Sequence, residues 1–308
     1  MARVDFGQCV LLSDAGETLE ATVRGRLMGE KKALGNAVVV GDRVTCEREQ
    51  ERLAVCDVAP RRNTFSRRAA GERPAEQVVS ANLDQVVCVA ALTQPEFRAG
   101  LVDRVLAQAE HAGIPARLAV TKVDLGARAD ADAILDAYAR AGCAGHAVSA
   151  VTGEGLEPLR HAMLARRSLF VGHSGVGKST LLNALVPGIG QLTGSVNVKT
   201  GRGRHTTTAA WLVRAGGLEV VDTPGVRAFG LWGIGAGDLE QAYPEFRRFL
   251  GGCRFADCRH GREPDCALRA AVEGGHVAER RWQSFIKLRS ELEQEEAQGV
   301  RRARGGRM

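Results

Sequence analysis

The run Gly172-His173-Ser174-Gly175-Val176-Gly177-Lys178-Ser179 has the spacing GxxxxGK[ST], with an apolar stretch before it and a helix-forming stretch after it. Glycines let a backbone wrap an anion so that its N–H groups point inward, and the helix that follows adds the positive end of its dipole. Lys178 would neutralise terminal phosphates and assist their transfer, the Ser179 hydroxyl would ligate Mg²⁺, and Thr180 closes the run. An ordinary glycine-rich turn is the bland alternative, and the strand, Lys-Ser pair and helix together argue against it. Further on, Asp222-Thr223-Pro224-Gly225 follows the apolar run Leu218–Val221. A carboxylate there can hold a Mg²⁺ shell, and the Gly225 N–H can sense a γ-phosphate.

Thr121-Lys122-Val123-Asp124 closes another apolar run. The Asp124 carboxylate can accept from the N1–H and exocyclic amine of guanine, a pair of donors that adenine lacks, while the Lys122 stem can pack over a base. Ser149-Ala150 could offer a backbone N–H to the guanine O6. TKVD alone occurs by chance; beside the phosphate motifs it favours GTP over ATP. The order is unusual, because the base-reading pair precedes the phosphate loops, but one sheet can be closed with a different cut in the chain.

Cys253, Cys258, His260 and Cys266 supply three thiols and an imidazole, a full tetrahedral shell for Zn²⁺. With no open position, that suits one structural ion per chain rather than a catalytic one. A disulfide would strand one cysteine and leave the histidine unexplained. Cys9, Cys46, Cys56, Cys88 and Cys143 are scattered singly among apolar residues and read as reduced core packing.

These groups must be held by several units. The chain has 308 residues, 44% hydrophobic and 25% charged, enough for a real core and for two or three domains. Short alternating segments at Thr22–Leu27, Ala37–Val40 and Arg43–Glu47, broken by turns, suggest a small all-β barrel or sandwich over residues 1–75. Residues 60–74 are arginine-rich and polar, and read as a linker. From Asp84, apolar strands alternate with helical stretches (Gln85–Leu92, Val102–Ala112, Arg117–Val120, Ala131–Ala141, Ala147–Ser149, Leu156–Ala165, Ser168–Val171), the pattern of a parallel α/β sheet over 76–232. A glycine-rich loop follows over Gly188–Thr208. Residues 233–308 carry the Cys/His cluster, a helix over Val277–Glu296 and a tail from Arg301 expected to be disordered. The fold class is therefore multi-domain α/β: β-barrel, permuted P-loop domain, helical zinc-binding domain.

No apolar run is long enough to span a membrane and the N-terminus carries no signal pattern, so a cytoplasmic protein is expected. Forty-two Lys and Arg against 36 Asp and Glu leave a net +6, which favours a polyanionic partner. Arg61, Arg62, Arg67, Arg68 and Arg73 form one basic stretch; Arg254, Arg259, Arg262, Arg280, Arg281 and Arg289 form another. Solvated faces are the ordinary explanation of such runs. Flanking a nucleotide site, they point to RNA phosphates. Trp282 and Phe285, at helical spacing, read as core rather than base-stacking residues.

Taken together, the permuted order, GRGRHTTT at 201–208, DTPG and the Cys/His spacing resemble the circularly permuted small-ribosomal-subunit biogenesis GTPases, the RsgA (YjeQ/YloQ) family, across residues 3–295. Thr121 departs from the asparagine commonest in that position. Val226, after DTPG, cannot orient an attacking water as a glutamine does there in many GTPases. The resemblance implies that His205 does so, a solvated loop histidine being the alternative, and that Thr207 holds Mg²⁺ and senses the γ-phosphate. It further implies an OB-fold RNA-binding barrel over residues 1–75, slow GTP hydrolysis stimulated by the small subunit, binding to the subunit and its rRNA in the GTP state, release in the GDP state, and a monomer. A different class of reading keeps nucleotide only as a fold stabiliser for an RNA-binding or chaperone module. A P-loop kinase would leave TKVD, Ser149-Ala150 and the zinc ligands without a purpose.

Overall fold

The computed structural model describes residues 1–4, 8–27, 37–49, 52–69, 75–189, 210–226 and 229–305. Strands β1 (Arg3–Val4), β2 (Gln8–Leu12), β3 (Thr18–Val23), β4 (Val44–Glu49) and β5 (Arg52–Val58) form a sheet of order β1-β2-β3-β5-β4. Its neighbours are antiparallel except β3 and β5, the arrangement of a partly open Greek-key barrel. Cys9, Leu11, Ala21, Val23 and Val55 fill its own small core. Residues 37–40 form a turn rather than the expected strand.

The stretch expected as a linker contributes β6 (Thr64–Arg68), which pairs antiparallel with β7 (Glu76–Ala81). Phe65 is fully buried and packs on Phe229 with ring centroids 5.6 Å apart, so an apolar residue among arginines decides the local structure. Arg73 lies outside the described residues.

The central sheet runs β10 (Ala144–Ala147), β9 (Ala116–Thr121), β8 (Gln85–Ala91), β11 (Arg167–Gly172), β13 (Leu218–Asp222), β12 (Trp211–Ala215). Every neighbouring pair is parallel except β12 with β13. All seven residues of β8 are buried, which is why that strand shows no polar alternation: it lies mid-sheet with both faces covered. Helices α1 (Ala99–His111), α2 (Arg128–Ala139), α3 (Leu156–Met163) and α4 (Lys178–Leu185) connect or flank the strands. Backbone bonds tie the barrel region to this sheet, Leu212 N to Ala2 O at 2.8 Å, and to the β6–β7 hairpin, Ala81 N to Val40 O at 2.9 Å. Arg167 Nη1 reaches Gly41 O at 2.9 Å.

Beyond the sheet come α5 (Ala267–Glu273) and the long α6 (Glu279–Gly305). Helix α6 continues past Arg301, where a disordered tail was expected. Phe285, Leu288 and Leu292 recur at helical spacing on its buried face. Phe285 meets Tyr243 and Phe246 edge-on, confirming its core role.

Candidate nucleotide and metal sites

A parallel sheet sends all its strand ends to one edge, and the candidate loops lie there because each follows a parallel strand. Thr121–Asp124 follows β9, Ser149-Ala150 comes just after β10, His173–Gly177 follows β11, and Thr223–Gly225 follows β13. Strand β8 separates the base-side strands from the phosphate-side strands, so loops distant in sequence become neighbours. The chain runs from β10 through α3 into β11, so the base-side loops come first in sequence and the edge is intact.

The phosphate loop has the backbone its glycines permit. Gly175 and Gly177 take φ of 85° and 87°, the left-handed region, and Gly177 opens α4. A Cβ on Gly172 would sit 2.5 Å from the Val89 carbonyl oxygen, so only glycine fits against β8. Lys178 is 7% exposed, and its Nζ donates to the Asp222 carboxylate and to the Thr223 carbonyl, joining the two phosphate-side loops. Ser179 and Thr180 are exposed at the helix start. Thr223 is buried, with its hydroxyl donating to Phe170 O at 2.7 Å. A Cβ on Gly225 would lie 3.1 Å from Ser174 Cα, so this turn closes directly on the phosphate loop. The neighbouring Val226 is buried and donates its N–H to Gly172 O at 3.0 Å, a structural role with no group to offer water.

The base-side loop is bonded to the phosphate loop. Buried Thr121 donates its hydroxyl to Val176 O at 2.5 Å, and Lys122 Nζ donates to Gly175 O at 2.8 Å and to Gln94 O. Asp124 is exposed. The Ser149 hydroxyl accepts from Thr152 N at 3.1 Å and its N–H donates to Glu154 O at 2.9 Å, so of that pair the Ala150 N–H is the one left for a ligand. Residues Gln94 and Arg98 join this neighbourhood without any motif to announce them: Arg98 Nη1 lies 3.1 Å from His173 Nε2. His205 and Thr207 lie outside the described residues.

The other cluster gathers at the entrance to α5, where Cys266 is the N-cap. One donor atom from each of Cys253, Cys258, His260 and Cys266 lies within 4.8 Å of the rest, a set that could hold a metal ion. His260 Nδ1 is 3.5 Å from both Cys253 Sγ and Cys266 Sγ, and those sulfurs are 3.9 Å apart. Tetrahedral zinc with thiolates at about 2.3 Å requires edges of roughly 3.8 Å, so the donor set and its spacing fit. Burial, with the neighbouring thiols adding to it, pushes Cys258 up to about 12, so a cation binding there would have to displace the thiol proton. The far nitrogen of His260, Nε2, donates to Glu240 Oε2 at 3.0 Å, which fixes the ring with Nδ1 toward the sulfurs. Trp282 Nε1 donates to His260 O at 2.8 Å, tying the cluster to α6.

The basic stretches are less available than their composition implied. Arg61 makes a two-bond pair with buried Asp42 at 2.8 and 2.9 Å, Arg62 pairs with Asp84 at 2.6 Å, Arg67 donates to Gln77 and Arg68 pairs with Glu295. Arg281 is buried between Asp103 and Glu245. Among the described residues, no helix is long and apolar enough to cross a membrane.

The fold and its loop edge define a P-loop GTPase whose base-side strands precede its phosphate-side strands. Residues 58–232 match the sequence model of the RsgA GTPase family. A relative from Gemmatimonas aurantiaca, named small ribosomal subunit biogenesis GTPase RsgA, is 44% identical over 285 residues, 91% of this chain and 92% of that one. One of the same name from Chlorobaculum parvum is 40% identical, covering 84% and 86%. The crystal structure of YjeQ from Thermotoga maritima superimposes with a TM-score of 0.72 at 29% identity, covering 94% of this chain and 97% of that one. The structure of YloQ, described as a circularly permuted GTPase, gives 0.69 at 25% identity, covering 96% and 94%. This chain belongs to the RsgA GTPase family.

Proposed function

We propose that the protein hydrolyses GTP during late maturation of the small ribosomal subunit, binding the subunit and its rRNA with GTP and leaving with GDP. The observation that carries this reading is the bonding of one loop set to the other: Thr121 to Val176 and Lys122 to Gly175 hold the base-side loop against the phosphate loop. On this reading Thr121, Lys122 and Asp124 select guanine, with Ala150 N–H reaching its O6. Residues Gly172 to Thr180 cradle the phosphates, Lys178 neutralises them, Asp222 holds the Mg²⁺ shell and the Gly225 N–H responds to the γ-phosphate. Ser179 and Thr207 would hold the Mg²⁺ that accompanies the nucleotide, and His205 would orient the attacking water. Zinc would occupy the Cys253, Cys258, His260 and Cys266 set as a structural staple. Three functional units, residues 1–75, 76–232 and 233–308, working in the cytoplasm as a monomer, complete the proposal.

The names of the relatives support the ribosomal half of it; the switch-like half follows from chemistry. A γ-phosphate that engages both Lys178 and the Gly225 N–H draws the phosphate-side loops together, and its loss frees them. Co-sedimentation with isolated small subunits tests this. More subunit should be bound with a non-hydrolysable GTP analogue than with GDP, and equal binding in the two states would contradict the switch.

A further inference from the structure

Helices α1 and α6 leave a groove between them that opens beside the phosphate loop, lined by Arg98 and Arg104 on one wall and Arg280, Gln283, Lys287 and Glu291 on the other. Residues 280, 283, 287 and 291 fall on one face of α6, spaced three, four and four apart, so a single stripe of that helix faces the groove. Arg104 is paired with Glu291, while Arg98, Arg280 and Lys287 have no carboxylate partner among the described residues. Glu279, next along, accepts from Gln283 Nε2 at 2.9 Å. The surplus charge on the groove is therefore positive on both walls, whereas Arg68 of β6 is paired with Glu295.

We propose that this groove binds the phosphate backbone of RNA. The inference rests on the reading above that the partner contains RNA, and it adds where the contact is made. Three cations without a carboxylate partner, Arg98 on one wall and Arg280 and Lys287 on the other, follow an extended polyanion better than a point charge. Arg280 lies over the Phe97 ring, 5.6 Å from its centroid, a flat cationic platform at the groove mouth of the kind unstacked bases also use. An acidic protein segment is the poorer occupant. Leu288 is buried beneath the groove floor, and none of the described residues lining the groove is an exposed large apolar side chain to anchor one.

Arg98 gives the groove a connection to the nucleotide. A guanidinium only donates, so His173 Nε2 accepts from it, and Nδ1–H is left to donate to Ser174 O at 2.7 Å. Ser174 is the residue on which Gly225 closes. A phosphate in the groove competes for Arg98 and alters the support of the phosphate loop at that point.

The test is filter binding of deproteinised small-subunit rRNA to the full chain over a range of salt concentrations. Arg280→Gln with Lys287→Gln should weaken binding roughly tenfold or more at 0.1 M salt and lower the slope of log affinity against log salt by about 1.5 to 2, close to one unit per lost phosphate contact. Arg280→Lys with Lys287→Arg keeps the charges and should keep the slope. Zinc content and melting midpoint report that each variant is folded. Wild-type binding with an unchanged slope in the neutral variant would overturn this inference alone. Loss of binding to whole subunits with unchanged binding to bare rRNA would also overturn it, marking an acidic protein as the occupant. Failure of the wild type to bind rRNA at all would overturn the RNA reading on which it stands.

Discussion

Thr121 stands where related loops more often carry asparagine, and its short side chain still closes the gap. Its hydroxyl donates to Val176 O at 2.5 Å, with Ala90 O 3.3 Å away, so one buried group binds β8, β9 and the phosphate loop. Thr121→Ala should leave the Val176 carbonyl without this donor and cost about 1 kcal/mol, roughly a fivefold loss of GTP affinity by calorimetry. Thr121→Asn should restore most of it, because an amide can reach the same carbonyl. Lys178 carries more, since it answers Asp222 and Thr223 as well as any phosphate. Lys178→Ala should lower single-turnover GTP hydrolysis about 100-fold or more; undiminished hydrolysis would remove Lys178 from the mechanism. Residues of this kind were legible because glycine, lysine and aspartate at fixed spacing have few other uses. Glu240, Gln94 and Arg98 were not: each meets its partner only after folding, and nothing local marks an exposed-looking charge as someone's neighbour.

At the level of elements, α1 is the member whose surroundings the sequence hid. A helix covering one face of a sheet should show one buried stripe, yet Asp103 is fully buried because α6 covers the outer side as well. There Arg281 donates to Asp103 and, through Nε at 2.7 Å, to Glu245, with Tyr243 and Tyr138 rings at 4.4 and 5.3 Å from its guanidinium carbon. Arg281→Met should destabilise the protein by roughly 3–5 kcal/mol, since it strands two buried carboxylates; replacing Asp103 and Glu245 by leucine as well should recover most of the loss. Denaturant titration reads both. On the opposite edge, Glu219 of β13 bridges Arg167 at 2.9 Å and Arg214 at 2.5 Å. Burial opposes its ionisation, but the hydrogen bonds and charges of those arginines prevail and hold its carboxyl below the usual glutamate range. Its contribution is thus fully present above about pH 4.3 and is lost as pH falls through the lower folded value. Glu219→Gln should flatten that acid limb of the melting curve, and an unchanged limb would remove Glu219 as its source. The β6 strand and the extension of α6 escaped the sequence reading for a related reason: polar composition resembles a linker or a tail until one buried residue, such as Phe65, or a long packed face is taken into account.

Across the whole molecule, the pattern of alternating strands and helices identified the central sheet and its order of use, and strand boundaries moved by only a few residues. The turns of the first part left a small barrel or a sandwich open, and its strands were misplaced where alternation was weak. What the sequence could not convey was how the three parts meet. Backbone bonds from Ala2 and Val40 fasten the barrel to the central sheet and to the β6–β7 hairpin, and α6 fastens the cysteine cluster to α1 through Trp282 and Arg281. The loop around Cys253–Cys266 has little core of its own, so its order should depend on metal. Metal analysis should find about one zinc per chain by the four-ligand count. Chelation or Cys266→Ser should release hydrogen-exchange protection there before the central sheet responds, and full protection in metal-free protein would contradict the staple.

The most direct test of the account is steady-state turnover by the full chain with GTP or ATP, each with and without purified small ribosomal subunits. The account predicts slow GTP hydrolysis alone, clear stimulation by subunits and negligible use of ATP. Equal turnover of the two nucleotides, or a GTP rate indifferent to subunits, would contradict it.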